Sequence, residues 1–169
     1  MSTKHLFSSE AIEKLKTLSE KARVCMFMTD LSHQPISCRP MSLNECDEKG
    51  HLWFISSKSS HKNFDISEDN TVQLIFMNNG DSEYLNIYGK AEIFTDKSVI
   101  DEKWSVFAKP WFKEGKDDPD VSIIRVVPDE TYYWDTKAGK FISMLSFAAA
   151  AVTGKETDNS DGIEGKLKI

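Results

Sequence analysis

The stretch His51-Leu52-Trp53-Phe54-Ile55-Ser56-Ser57-Lys58-Ser59-Ser60-His61-Lys62-Asn63-Phe64-Asp65-Ile66 decides how this chain is read. Its opening residues are aromatic and branched aliphatic, the composition of a strand. Lys62 to Ile66 reads as a short helix, so the serines fall at a strand-to-helix junction. Helix amino ends present unpaired N–H groups and the positive end of a dipole. Together with the serine hydroxyls, Lys58 and Lys62, they make a cradle suited to an anion such as phosphate. No acidic side chain stands between Glu48 and Asp65, although the chain as a whole carries a net charge of −6. The same residues also suit a solvated loop with an ordinary hydroxyl helix cap, and the junction alone leaves both readings open.

Working outward, Ala11, Ile12, Leu15, Leu18 and Ala22 recur at three-to-four spacing, which predicts an amphipathic helix over Ser9 to Ala22. Val24 to Thr29 is a continuous apolar strand, turned by Ser32-His33-Gln34-Pro35 into a return strand over Pro35 to Cys46. Pro40 predicts a bend or bulge there that would re-aim Arg39. Downstream, Thr71 to Met77 is a strand, and Asn78-Asn79-Gly80-Asp81 turns it into Glu83 to Phe94. In that strand Leu85, Ile87, Gly89 and Ala91 share one face, opposite Tyr84, Asn86, Tyr88 and Lys90. A glycine inside a strand predicts a bulge or the close approach of another group.

Lys97 to Lys109 reads as helix, Pro110 to Pro119 as an irregular connection, and Val121 to Val127 as a sixth strand. Phe141 to Val152 reads as an apolar helix and Thr153 to Gly165 as a polar loop. Lys166 to Ile169 is expected either to form a small terminal strand or to fray. Strands joined by short turns imply a mainly β fold with α additions: an antiparallel, barrel-like sheet of about six strands, rather than a doubly wound parallel sheet.

A chain of 169 residues with 40% apolar and 28% charged residues supports one globular domain. Its acidity argues against nucleic-acid or anionic-membrane partners. Cys25, Cys38 and Cys46 form no C-x-x-C pair and no signal-peptide pattern precedes them, which leads to the expectation of a reduced, cytoplasmic protein. The histidines make no pair at metal spacing, and no metal site is expected. The longest apolar run, Met144 to Val152, is about half of what crosses a bilayer.

Several segments then fall in a recognisable order: Arg39-Pro40-Met41-Ser42, the serine junction, Tyr84-Leu85-Asn86-Ile87-Tyr88-Gly89, Trp111-Phe112-Lys113-Glu114-Gly115 with Asp117-Asp118-Pro119, and Ile124-Arg125-Val126-Val127-Pro128 leading into Tyr133-Trp134-Asp135. This order resembles the FMN-binding split-barrel superfamily that includes pyridoxamine 5′-phosphate oxidase, and within it the bacterial general stress protein branch. The resemblance covers roughly residues 9 to 155. It implies a split β-barrel domain over 1–155, a polar C-terminal tail over 156–169, and a homodimer holding FMN, with FAD as the alternative, at the subunit interface.

The resemblance also implies cofactor contacts from Arg39, Met41, Phe54, Ile55, Ser56, Ser60, His61, Lys62 and Tyr84, with Trp134 reaching the ring from across the dimer. His61 stands where the oxidases often have arginine, and Asn44 where they tend to have lysine. A neutral imidazole donates one hydrogen bond, so Lys62 and Arg39 would carry most of the fixed positive charge. The Arg-x-His ending that holds the oxidase's substrate is replaced by Gly165-Lys166-Leu167-Lys168-Ile169, so vitamin B6 oxidation is not expected. No catalytic triad or carboxylate pair is legible, and catalysis would belong to the flavin. The expected function is an FMN-binding protein with a redox or stress role. The alternatives are a non-catalytic flavin carrier or sensor, and a flavin-free interaction module. Trp104, Trp111 and Trp134 suit core or dimer packing equally, and Arg125 an ion pair.

Overall fold

The structure is a computed structural model and describes residues 2–136 and 162–169. The periodic segment near the start folds as α1 (Ser8–Ala22), which buries Ala11, Leu15 and Leu18. Arg23 ends the helix in the left-handed region at φ 63°, and its N–H donates to Ser19 O at 2.9 Å.

Ten strands join one sheet among the described residues: β1 (Ser2–Thr3), β2 (Leu6–Phe7), β3 (Val24–Thr29), β4 (Ser37–Ser42), β5 (Glu45–Cys46), β6 (Leu52–Ser57), β7 (Thr71–Asn78), β8 (Glu83–Phe94), β9 (Val121–Thr136) and β10 (Gly162–Lys168). The expectation of about six antiparallel strands is thus corrected. The return strand divides into β4 and β5, while β1 and β2 are two residues each, too short for alternation to show. The sheet is mixed, since β1 and β2 pair with β10 in parallel. The terminal strand begins at Gly162, so part of the expected polar loop lies in the sheet. The helix expected over Phe141 to Val152 and the loop from Thr153 to Asp161 lie outside the described residues.

The long strand β9 is the frame's spine. One edge pairs with β8, while the other pairs with β6 along Val121–Val126 and with β10 along Thr131–Thr136. Phe27 on β3 faces Leu74 on β7, and Leu74 faces Ile87 on β8, all three fully buried. Phe27 also meets Phe54 of β6 edge to face, with ring centroids 5.3 Å apart. Such a pair contributes about 0.5–1.5 kcal/mol beyond its burial. Gly89 does what its place in a strand predicts. The β8–β9 register shifts at Tyr88/Gly89, and a Cβ on Gly89 would stand 2.3 Å from Val127 O.

The bend expected at Pro40 falls elsewhere. The β3–β4 register runs through Pro40 without a shift, and β4 is an edge strand, where a missing N–H is tolerated. The turn in direction comes at Leu43 and Asn44. Leu43 N–H still bonds to Arg23 O at 2.8 Å, whereas Asn44 N–H bonds to Trp53 O at 2.9 Å, and β5 continues along β6. The segment 37–46 therefore links β3 to β6, and the ladders run from β3 through β4/β5, β6, β9, β8 and β7 back to β3. Beyond the bend, no ladder joins the outer edge of β4 to Phe54–Ser57 of β6 among the described residues. A gap between two strand edges results.

Helix α2 (His61–Glu68) is bonded to both rims of that gap. Arg39 of β4 pairs with Asp65 at 3.6 Å, and Ser56 of β6 donates to Asn63 Oδ1 at 2.8 Å. After β8, α3 (Lys97–Lys103) ends sooner than the predicted Lys109. The chain turns extended at Trp104, whose ring meets Phe112 at 6.0 Å, and continues as 3-10 turns over Val106–Trp111 and Gly115–Asp117. These elements cover a second apolar cluster of Trp53, Ile100, Phe112, Val121 and Ile123. No described helix is long and apolar enough to cross a membrane.

Candidate functional site

Arg39 sits on the inward side of β4, opposite Phe27. Its Nη1 donates to Thr29 Oγ1 at 2.7 Å and to Phe27 O at 3.2 Å, and Nη2 lies 3.6 Å from Asp65 Oδ2. Thr29 Oγ1 in turn donates to Asp65 Oδ2 at 2.6 Å. Arg39 is thereby aimed and partly neutralised by α2 itself.

Lys62, in the first turn of α2, has no such counter-charge. Its Nζ donates to Ser60 Oγ at 3.1 Å and reaches no carboxylate among the described residues. Burial, reinforced by the Arg39 charge and partly offset by Asp120, holds its pKa below the usual lysine value. A half-buried ammonium beside a guanidinium is costly unless an anion joins them. The backbone N–H groups of His61 and Lys62 belong to the first helical turn, where α-helical bonding leaves donors free, and no described acceptor meets them. The Lys62 ammonium, the Arg39 guanidinium that Asp65 only partly neutralises and two free N–H groups are donors of the kind that bind a phosphate ester.

The serine loop has a different owner. Ser59 N–H and Ser59 Oγ donate to the Asp120 carboxylate at 2.8 and 3.1 Å, Ser57 Oγ donates to it as well, and Lys58 N–H donates to Asp120 O at 2.6 Å. These bonds, the Ser57 hydroxyl foremost, hold the Asp120 carboxyl below its ordinary range. The positive field read from the acid-free run 49–64 is therefore corrected: Asp120 fills the Ser57–Ser59 part of the cradle and Asp65 answers Arg39. Asp120 was missed because it lies far off in sequence, and only the pairing of β9 with β6 brings it beside the loop.

Beneath the loop, a buried chain of hydrogen bonds fixes the start of α2. Ser56 Oγ donates to Asn63 Oδ1 at 2.8 Å, Asn63 Nδ2 to Ser122 Oγ at 2.8 Å, and Ser122 Oγ to Ser56 O at 3.1 Å. Ser56 thus spends its hydroxyl internally, and Phe54 is fully buried in the main core. Both also pair with β9, Phe54 with Ile124 and Ser56 with Ser122, so neither spends its backbone on the gap. Met41 packs against the main core and Ile55 against the second cluster. Ser60 donates its hydroxyl to Ser57 O at 2.7 Å and leaves a lone pair for Lys62, while His61 is exposed on the first turn.

Tyr84 and Trp134 stand apart from this group. They are cross-strand partners on the outward face of β8 and β9, and Trp134 packs on Tyr132 with ring centroids 4.7 Å apart. One chain brings Arg39, Ser60 and Lys62 together, and does not bring Tyr84 or Trp134 to them. Arg125 pairs with Glu92, and Asn44 Nδ2 donates to Lys103 O at 2.9 Å, so both serve the fold. A depression of about 490 Å³ at the far end of α2 includes Glu68, Asp69 and Glu92 and no cation, which is unsuited to an anion.

The pyridoxamine 5′-phosphate oxidase-like family matches residues 10–158. The chain belongs to this family. Among its relatives, bli-3 of Neurospora crassa is 25% identical over 126 residues, which cover 69% of this chain and 60% of bli-3. The chain therefore spans under two thirds of that relative's length. Among solved structures, the Jannaschia sp. CCS1 protein described as a general stress protein 26 superposes with a TM-score of 0.70 at 25% identity, over 95% of this chain and 96% of that one. The general stress FMN/FAD binding protein of Xanthomonas citri superposes with a TM-score of 0.65 at 24% identity, over 76% of this chain and 90% of its own.

Proposed function

We propose that this chain binds FMN, with the phosphate seated on Lys62, Arg39, Ser60 and the free N–H groups of His61 and Lys62, and that it serves a redox or stress role. The observation that carries the reading is Lys62: half-buried, near a second cation, at the start of a helix, and paired with no carboxylate among the described residues. The fold is a split barrel whose split is the gap between β4 and the far half of β6, within one flavin-binding domain. The ladder cycle through 37–46 supports this. Among the described residues no ladder runs along the gap-side edge of β6 over Phe54–Ser57, which leaves that edge open to an isoalloxazine ring. A bound flavin supplies hydride and electron transfer. The protein's part is to hold it and to exclude water.

The flavin lies between two copies of the chain. Val24, Met77, Tyr84 and Tyr88, 46, 48, 36 and 42% exposed, line the outward face of β3, β7 and β8 beside Trp134. An apolar face of this kind is unusual on a monomer. Docking of a second copy there brings Tyr84 and Trp134 to the partner's gap. FMN titration tests the reading. Binding that weakens in Lys62→Ala but not in Lys16→Ala supports it, and absence of binding at high FMN sinks it. Anaerobic mixing of the loaded protein with NADH or NADPH then separates an oxidoreductase, whose flavin bleaches, from a carrier, whose flavin does not.

A further inference from the structure

The geometry points to Asp120 as a selectivity residue that restricts this site to flavins bearing a single phosphate, FMN over FAD. The inference rests on the phosphate site proposed above. Around the start of α2 the donors form two sets. One set is the His61 and Lys62 N–H groups with the two cations, and its Lys62 pairs with no carboxylate among the described residues. The other set is saturated: Ser57 Oγ, Ser59 Oγ and Ser59 N–H all donate to the Asp120 carboxylate, and Lys58 N–H donates to Asp120 O. Ser60 N–H is also taken, by Ser57 O at 3.1 Å.

A phosphomonoester needs only the first set. A dinucleotide carries a second phosphate one anhydride oxygen away, and the donors next to the first set are the loop's. There it meets a carboxylate in place of donors, so the second negative charge is both unbonded and repelled. Without Asp120, Ser57–Ser59 would be a nest of hydroxyls and an amide next to the first phosphate, well suited to the second. The carboxylate also fixes the loop: Ser57 and Ser59 are bound to the same group, and their own hydroxyls lie 3.1 Å apart.

Affinities for riboflavin, FMN and FAD, read from quenching of flavin fluorescence, test this in the intact protein and in Asp120→Asn. Asparagine keeps an acceptor for Ser59 N–H and removes the charge. The native protein is expected to prefer FMN over FAD by about tenfold or more, and the variant to lose most of that preference, the scale of a like-charge contact near a protein surface. Equal FMN and FAD affinities in the native protein overturn the inference, as does a preference unchanged in the variant. The native ratio stands without any variant, so a variant that fails to fold does not shelter the idea. If instead riboflavin binds as tightly as FMN, the phosphate site itself is wrong, and that result is distinct from FMN outbinding riboflavin while FAD matches FMN.

Discussion

Ser57–Ser59 and Ser60–Lys62 are neighbours of nearly the same chemistry, yet the fold treats them oppositely. The first segment gives its hydroxyls and amides to Asp120, a carboxylate carried in by β9. The second keeps two helix-end N–H groups and an ammonium that pairs with no carboxylate among the described residues. Hydrogen-bonding residue types therefore do not mark an anion site by themselves. What marks it is the unspent part of their capacity after the protein's own groups are counted.

The contrast is broken most directly by comparing two lysines, Lys62 and Lys58. Lys62→Ala should weaken FMN binding about 10–150-fold, the scale of a charged hydrogen bond worth about 1.5–3 kcal/mol. Lys58→Ala, at an exposed position, should change it by less than about twofold. Equal losses would erase the distinction between the two segments.

Asn63→Ala is expected to lower stability by about 1–3 kcal/mol in denaturant titration, because it leaves the buried Ser56 and Ser122 hydroxyls short of a partner. It should also loosen FMN, since the same bonds aim the first turn of α2. A smaller effect separates the segments again: Ser59→Ala should cost about 0.5–1.5 kcal/mol of stability and leave FMN affinity unchanged. A loss of affinity without loss of stability would mean that the loop does face the ligand.

Two pH effects sharpen the comparison further. Lys62 is held below its ordinary value by burial, and a bound phosphate pulls it back up. FMN affinity should therefore stay level while Lys62 is charged and fall as pH rises through its lowered pKa, a limb that Lys62→Met removes. Asp120 is shifted the other way. Its carboxyl is depressed in the folded state, so its stabilisation is present above the ordinary carboxylate range and is lost as pH falls through the depressed value. Acid melts of Asp120→Asn should lack that loss.

Most of the frame was legible because periodicity is local. The apolar positions of α1, the alternation in β8 and the bulge glycine at residue 89 each depend on near neighbours in the sequence. The extra strands were illegible for the converse reason. β1 and β2 exist only because β10 offers them an edge. The site divided along the same line. Lys62, Ser60 and Arg39 were readable as types in an order, whereas Asp65 and Asp120, which decide how much charge remains free, act through contacts no local pattern records. Pro40 misled, since proline restricts its neighbours locally but an edge strand absorbs it without bending.

If the unspent donors at Lys62 hold a phosphate, a flavin must lose affinity when its phosphate is removed. Parallel titrations of the native protein with FMN and with riboflavin test it most directly, because the two ligands differ only in that group. FMN should bind at least about tenfold tighter than riboflavin, the worth of one charged contact. Equal affinities, or no flavin binding at all, would contradict it.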